Sequence, residues 1–181
     1  MRVFTLAIAV LSAGAAHAQR TAISADLSPE AAGQAFVSAV MDVCVPAVAG
    51  DGVSSVAGAR SGALQPTQDA ETRHQAGAGA DETVWDVMAA RGVVTVREKA
   101  GRCVAAVYGP PSAPTILGAS QKLSGAGFEA MAGAAGGGFT QTLIGSLGGK
   151  RVMVQLSGAE PGTPGHQSKF SVVTATVFAA S

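Results

Sequence analysis

The chain has few charged residues. Only 13% of its 181 residues are Asp, Glu, Lys or Arg, about half of the share that is usual in globular domains. The 12 basic and 12 acidic residues cancel, so the formal net charge is zero. A nucleic-acid-binding protein needs a basic face to neutralise phosphates. The balance of charge therefore argues against nucleic acid as a partner.

Aromatic side chains are also scarce, at 4% of the residues, with a single Trp and a single Tyr. The hydrophobic share is nevertheless 48%. Disordered chains combine low hydrophobicity with high net charge, and neither property holds here. We therefore expect a globular domain with a core of Val, Leu, Ile and Ala.

The first 18 residues have the layout of a secretory signal peptide. Arg2 supplies a positive start, residues 3–11 are mostly apolar, and Ala16 and Ala18 place small side chains at a cleavage site. We expect cleavage between Ala18 and Gln19. Gln19 stands where a lipoprotein needs Cys, so we expect no lipid anchor, and residues 19–27 should form a flexible leader. The alternative interpretation of the apolar run is an N-terminal core helix.

No apolar run reaches the roughly 18 residues of a membrane-spanning helix. The sequence therefore predicts no transmembrane helix in the mature chain. We expect a protein that is periplasmic or secreted.

The two cysteines, Cys44 and Cys103, both follow the predicted cleavage site. An even number of cysteines in an exported protein favours a disulfide bond. Closing a loop of this length would stabilise the fold by roughly 4 kcal/mol. Two buried free thiols are the alternative, and a metal site would need more ligands.

The mature chain begins with a predicted helix. Ser28 is suited to cap it, Pro29 to its first turn, and Glu30 to its positive end. Its apolar residues recur at helical spacing, and Cys44 lies beside that stripe. Pro46 and Gly50 are expected to end the helix. Residues 49–82 contain few large apolar side chains, so we predict a loose Gly/Ala-rich loop with room for a short helix near 53–59.

The rest of the chain predicts mainly strands. Ala100-Gly101 is typical of a hairpin turn, and alternation places Cys103 on the strand face that meets the first helix. A second helix is predicted from Ser112 or Pro114 to Leu123, with Leu117 among its inward residues. The predicted strands are 83–87, 93–99, 102–108, 139–146, 151–157 and 169–179, with a short one at 128–131. We therefore predict one α+β domain over residues 28–181, with an antiparallel sheet of about five to six strands packed against two helices.

Catalytic motifs are absent from the sequence. His74 and His166 both lie in predicted loops, and neither accompanies a nucleophile motif. The glycines near 125–138 lack the strand–loop–helix context of a dinucleotide-binding loop. Asp81, Glu82 and Asp86 are interpreted as a solvated turn, and the single Trp as a core residue. We predict no catalytic, cofactor-binding or metal-binding residues, and no cofactor.

The mature chain resembles a group of small exported Gram-negative proteins of unknown function. The similarity covers roughly residues 30–130 and rests on Val43-Cys44, Val84-Trp85, Arg102-Cys103-Val104, the Leu117/Leu123 helix and Gly127-Phe128. The resemblance implies an exported single-domain protein and no activity. We expect a non-enzymatic protein that binds a protein or envelope component. The alternatives are a small-molecule or lipid-binding module and, third, a hydrolase that uses His74 or His166.

Overall fold

A computed structural model describes residues 27–60, 62–131, 139–166 and 168–180. The expected signal peptide, its cleavage site at Ala18–Gln19 and residues 19–26 of the expected leader lie outside these residues. The described residues form an α+β domain with an antiparallel sheet. The predicted fold class is therefore confirmed in its coarse form.

The chain enters the fold through one long helical stretch. Ser28 caps it, because its hydroxyl accepts a hydrogen bond from the Ala31 amide at 3.2 Å. Helix α1 (Pro29–Ala39) continues through a π-helical turn (Val40–Cys44) into α2 (Val45–Ala49). Pro46 lies inside the helix and does not end it. A proline inside an α-helix lacks the N–H that would donate a hydrogen bond, and its ring crowds the preceding turn. Here the π turn lies just before Pro46 and changes the hydrogen-bond pattern at this point.

Among the described residues, the stretch 29–49 is long and apolar enough to cross a membrane by length and composition. A buried core helix passes the same test. Here Phe36, Val40 and Cys44 are fully buried in the hydrophobic core of the domain. The helix thus occupies the position of a core helix in this fold.

The described residues form a sheet of eight strands, not the predicted five to six. Its order is β1-β2-β3-β4-β8-β7-β6-β5, and every neighbouring pair is antiparallel. The edge strand β1 is three residues long, too short to show the alternation that reveals a strand in a sequence, and it was predicted as loop. The other edge strand, β5, lies within the short strand predicted at 128–131. The strands are β1 (Leu64–Pro66), β2 (Val84–Val87), β3 (Val94–Lys99), β4 (Arg102–Tyr108), β5 (Glu129–Ala130), β6 (Phe139–Leu147), β7 (Lys150–Ala159) and β8 (Val172–Ala179).

Residues 49–82 contain more regular structure than one short helix. The described part holds α3 (Val53–Ala59), edge strand β1 and α4 (Ala70–Gln75). Asp69 caps α4 by accepting a hydrogen bond from the Thr72 amide at 2.8 Å, which lowers the pKa of the Asp69 carboxyl. The segment therefore contributes both a sheet edge and a helix that lies near the sheet.

Helix α5 (Ser112–Gly125) follows β4. Its buried positions repeat at spacings of three and four residues, as expected for a helix that covers a sheet. They are Ser112, Thr115, Ile116, Ala119, Ser120 and Leu123. The prediction for Leu117 was wrong, because this side chain is 59% exposed. A position next to Ile116 on a helix points about 100° away from it.

Helices α1, α2 and α5 cover one face of the sheet. Buried residues alternate along β7 and β8, and Gly158 faces α5, where a Cβ atom at that position would lie 2.5 Å from the Cβ of Ser112. Ser157 and Thr174 point to the opposite face, because successive side chains along a strand alternate. We call this opposite side the polar face, defined by Thr140, Thr142, Gln155, Ser157, Thr174 and Thr176.

Candidate functional site

The two cysteines lie on the helix-covered side of the sheet. Cys44, in the π turn, and Cys103, on β4, are at disulfide distance, with their Cα atoms 5.1 Å apart. Both residues are buried. The bond ties the first helix to the central strand of the sheet, and it lies apart from the cavity described next.

The opposite side of the sheet carries a cavity of about 780 Å³. Its floor is formed by Tyr108 at the end of β4, Thr174 on β8 and Ser157 on β7. The hydroxyls of Ser157 and Thr174 lie 2.7 Å apart and share a hydrogen bond. A volume of this size is within the range of roughly 300–1,000 Å³ that small-molecule sites occupy.

Helix α4 forms one wall of the cavity. It carries Glu71 and His74, which lie three residues apart and therefore on the same side of the helix. Tyr108 fixes this wall to the sheet, because its hydroxyl donates a hydrogen bond to the Gln75 carbonyl at 3.1 Å. Burial raises the pKa of the Tyr108 phenol, so the phenol remains a donor at neutral pH.

Arg97 supports the same wall from β3. Its Nη1 donates to the Gly77 carbonyl at 2.8 Å, directly after α4. The same nitrogen lies 3.0 Å from a Glu82 oxygen. The wall is thus held in place by contacts that leave the side chains of Glu71 and His74 facing the cavity.

The connection between β7 and β8 forms the second wall, which includes His166, Lys169 and Phe170. Glu160 anchors this connection. Its carboxylate accepts hydrogen bonds from the Ser171 hydroxyl and from the Ser112 amide, the latter at 2.6 Å. These bonds lower the pKa of the Glu160 carboxyl, with the Ser171 hydroxyl as the largest cause. The anchor joins the second wall to the N-terminus of α5.

The two histidines, separated by 91 residues in the chain, therefore line one cavity. The His166 ring lies 2.8 Å from the Phe170 carbonyl through its Nε2 atom. A carbonyl only accepts hydrogen bonds, so this nitrogen carries the proton and the neutral ring keeps Nδ1 as an acceptor. Among the described residues, no other hydrogen bond involves a histidine ring. Glu71 lines the same cavity, so the site brings an acid together with both imidazoles.

The cavity lining is polar. It includes one carboxylate, Glu71, and one ammonium, Lys169. Phe170 adds an aromatic ring that is 49% exposed. The described residues contain no group of three or more His, Cys, Asp or Glu side chains placed to hold a metal ion.

The acidic residues around β2 have structural contacts. Glu82 lies 2.6 Å from the Lys99 ammonium, and mainly this hydrogen bond lowers the pKa of Glu82 to about 2. Asp86 is buried and accepts a hydrogen bond from the Gly92 amide at 3.3 Å. Trp85 is half-buried and packs against the core.

A second concave surface lies between α1 and α5. This groove has a volume of about 720 Å³, and its lining is mostly apolar, with Pro29, Val37, Pro110, Pro111 and Pro114. Polar side chains line it as well: Glu30, Gln34, Ser38, Thr115 and Lys122. Gly33 and Gly118 also line it, and a Cβ atom on either would meet nothing within 4 Å.

Sequence reasoning missed the cavity, although it named both histidines. Tyr108, Ser157 and Thr174 were assigned to strands without a functional role. The available signal was the repeated pattern of hydroxyl residues at alternate positions, Thr140-x-Thr142 and Thr174-x-Thr176. Such alternation indicates a sheet face that is not packed by an apolar layer.

Comparisons with protein-family models, with curated proteins and with solved structures find no match to this chain.

Proposed function

We propose that this protein is an exported, non-enzymatic binding module that holds a small polar molecule in the cavity between α4 and the β7–β8 connection. The observation that carries the proposal is the convergence of polar side chains from distant segments on one cavity. His74, His166 and Tyr108 come from three separate parts of the chain. Convergent polar groups in a concave site are typical of ligand-binding sites.

The way the walls are held supports binding in a preformed site. Tyr108 fixes one wall and Glu160 anchors the other through hydrogen bonds to the sheet and to α5. Preformed walls reduce the entropic cost of closing around a ligand. The export of the protein remains a proposal, supported by the signal-like N-terminus and by the cysteine pair at disulfide distance.

A binding role is favoured over hydrolysis by the contacts of the imidazole rings. A hydrolytic site needs a nucleophile within about 3 Å of its histidine base. The His166 ring is engaged by the Phe170 carbonyl, and Ser157 bonds with Thr174. These contacts support ligand positioning by hydroxyls and imidazoles.

The proposal is tested by backbone-amide NMR of the folded, oxidised protein against a library of small polar molecules. We expect hits whose shift changes concentrate at Tyr108, Thr174 and the two histidines. Ala159 lines the cavity, so Ala159→Phe should fill it and abolish those shifts. Met153→Phe, six residues away on the same strand and face, is the matched control. Hits that persist unchanged in Ala159→Phe would contradict the proposal.

A second proposal follows from the expectation of an envelope partner. The carbon-rich lining of the α1–α5 groove suits an acyl chain of an envelope lipid. Vesicles of phosphatidylethanolamine and phosphatidylglycerol should then co-sediment with the protein. Gly118→Leu places a side chain in the groove, where its Cβ atom would meet nothing within 4 Å, and should reduce binding. Gly58→Leu, in α3 and equally open at its Cβ atom, should not. Equal binding by both variants would refute this second proposal.

A further inference from the structure

The polar face extends the cavity floor across three strands. Its side chains form two cross-strand rows in the register of the sheet. One row is Thr140, Ser157 and Thr174, and the other is Thr142, Gln155 and Thr176. Ser157 and Thr174 also belong to the cavity floor, so the rows and the cavity are continuous.

The six side chains of these rows are hydroxyls or an amide, and none is charged. Thr142 is buried, and the other five are partly or fully exposed. The next row on the same side is apolar and consists of Ile144, Met153 and Phe178. Each hydroxyl can donate one hydrogen bond and accept two, so the bond between Ser157 and Thr174 leaves capacity for a ligand. The helices α1, α2 and α5 pack on the other side of the sheet, where the buried apolar residues lie.

The cavity adds two features that restrict the class of ligand. Glu71 and Lys169 are its carboxylate and its ammonium, so it lacks a cluster of Arg and Lys side chains of the kind that holds a phosphorylated ligand. Phe170 lines the cavity and is about half-exposed. The negative face of an aromatic ring attracts the weakly positive C–H groups of an apolar ligand face.

We infer that the ligand is a neutral polysaccharide chain, with its end in the cavity and its next units on the polar face. A sugar unit carries hydroxyls that donate and accept, matching the two rows, and a C–H face that matches Phe170. Successive units would run along the strands from the first row to the second, which lie two residues, or about 7 Å, apart. This inference rests on the proposed function, because the cavity is where the chain would end.

The test uses soluble oligomers of glucose and of N-acetylglucosamine, both β-1,4-linked, with one to six units. Isothermal titration calorimetry should show affinity that rises with chain length, because longer chains reach the second row. Thr176→Val keeps the side-chain shape and removes one hydroxyl of that row. It should weaken the longest bound oligomer about three- to tenfold, as expected for one lost hydrogen bond, and leave the shortest bound oligomer unchanged.

Matched variants separate this inference from the proposed function. Thr83→Val makes the same chemical change at an exposed residue outside the rows, and should leave every affinity unchanged. Gln155→Ala, at an exposed position between Thr142 and Thr176, should reproduce the effect of Thr176→Val.

Binding that is independent of chain length and insensitive to Thr176→Val, but lost in Ala159→Phe, would overturn the extended site and leave the cavity proposal standing. Failure of the whole panel to bind at millimolar concentration would overturn the carbohydrate assignment. The NMR screen then tests the cavity proposal separately, through shift changes that disappear in Ala159→Phe.

Discussion

Reducing the bond between Cys44 and Cys103 should cost this protein about 4 kcal/mol of unfolding free energy. The residues are 59 positions apart, and the chain-entropy relation for a loop of about 60 residues gives that value at 25 °C. Both cysteines are buried in the core. Reduction therefore leaves their packing nearly unchanged and acts mainly by freeing the unfolded chain.

The assay is urea unfolding followed by the fluorescence of Trp85, the only Trp, which packs against the core. Oxidised protein is compared with protein reduced in denaturant and refolded with reductant present. At about 2 kcal/mol per molar urea, the midpoint should fall by about 2 M. The unfolding free energies of the two forms are compared as well as their midpoints. The reduced unfolded chain is more expanded, so the free energy falls more steeply with urea concentration and the midpoint alone does not give the stability difference.

A double variant, Cys44→Ala with Cys103→Ala, provides an independent check. It should be less stable than the reduced protein, because it also leaves small cavities in the core. A difference below about 1 kcal/mol between the oxidised and reduced proteins would refute the argument that the bond restricts the unfolded chain.

Three further predictions concern the turns, the packing and the charges of the sheet. Ala100 has a φ of 47°, in the left-handed region that Asn adopts more readily than Ala. Ala100→Asn should therefore raise the unfolding free energy by about 1 kcal/mol. An unchanged urea midpoint would show that the turn is not strained. Gly158→Ala should lower the unfolding free energy by about 1–3 kcal/mol, because the new Cβ atom would overlap Ser112. Gly125→Ala is the control and should not lower it, because its Cβ atom would meet nothing within 4 Å. Similar thermal midpoints for the two variants would contradict this packing argument. Glu82 has a folded pKa of about 2 and an ordinary value of 4.5, so its stabilising effect is complete above pH 4.5 and disappears as the pH falls towards 2. Urea unfolding of wild type and Glu82→Gln should therefore show a stability gap that closes over this range; a gap independent of pH would exclude the ion pair as its cause.

Local patterns predicted many elements of this fold closely. The strand predicted at 102–108 coincides with β4, and the short helix predicted near 53–59 coincides with α3. Such elements are visible because alternation and helical spacing express contacts with a single neighbouring layer. Strand β5 lies within the short strand predicted at 128–131. Strand β1 escaped prediction, since three residues show no period and their pairing partner is distant in sequence.

The candidate site was predictable only in parts. The sequence singled out His74 and His166 but offered no reason to place them together, and it assigned Tyr108 to a strand. Their convergence depends on the path of the whole chain, which places α4 and the β7–β8 connection over the same strands. No local spacing encodes that arrangement.

The sequence by itself determined the low charge, the order of most helices and strands, and the faces on which Cys44 and Cys103 lie. These properties follow from composition and from periodicities that act over a few residues. Only the tertiary structure decided the eight-strand order, the exposure of Leu117 and the shared cavity of the two histidines. Those features depend on contacts between segments far apart in the chain, whose energies decide which arrangement buries the apolar faces.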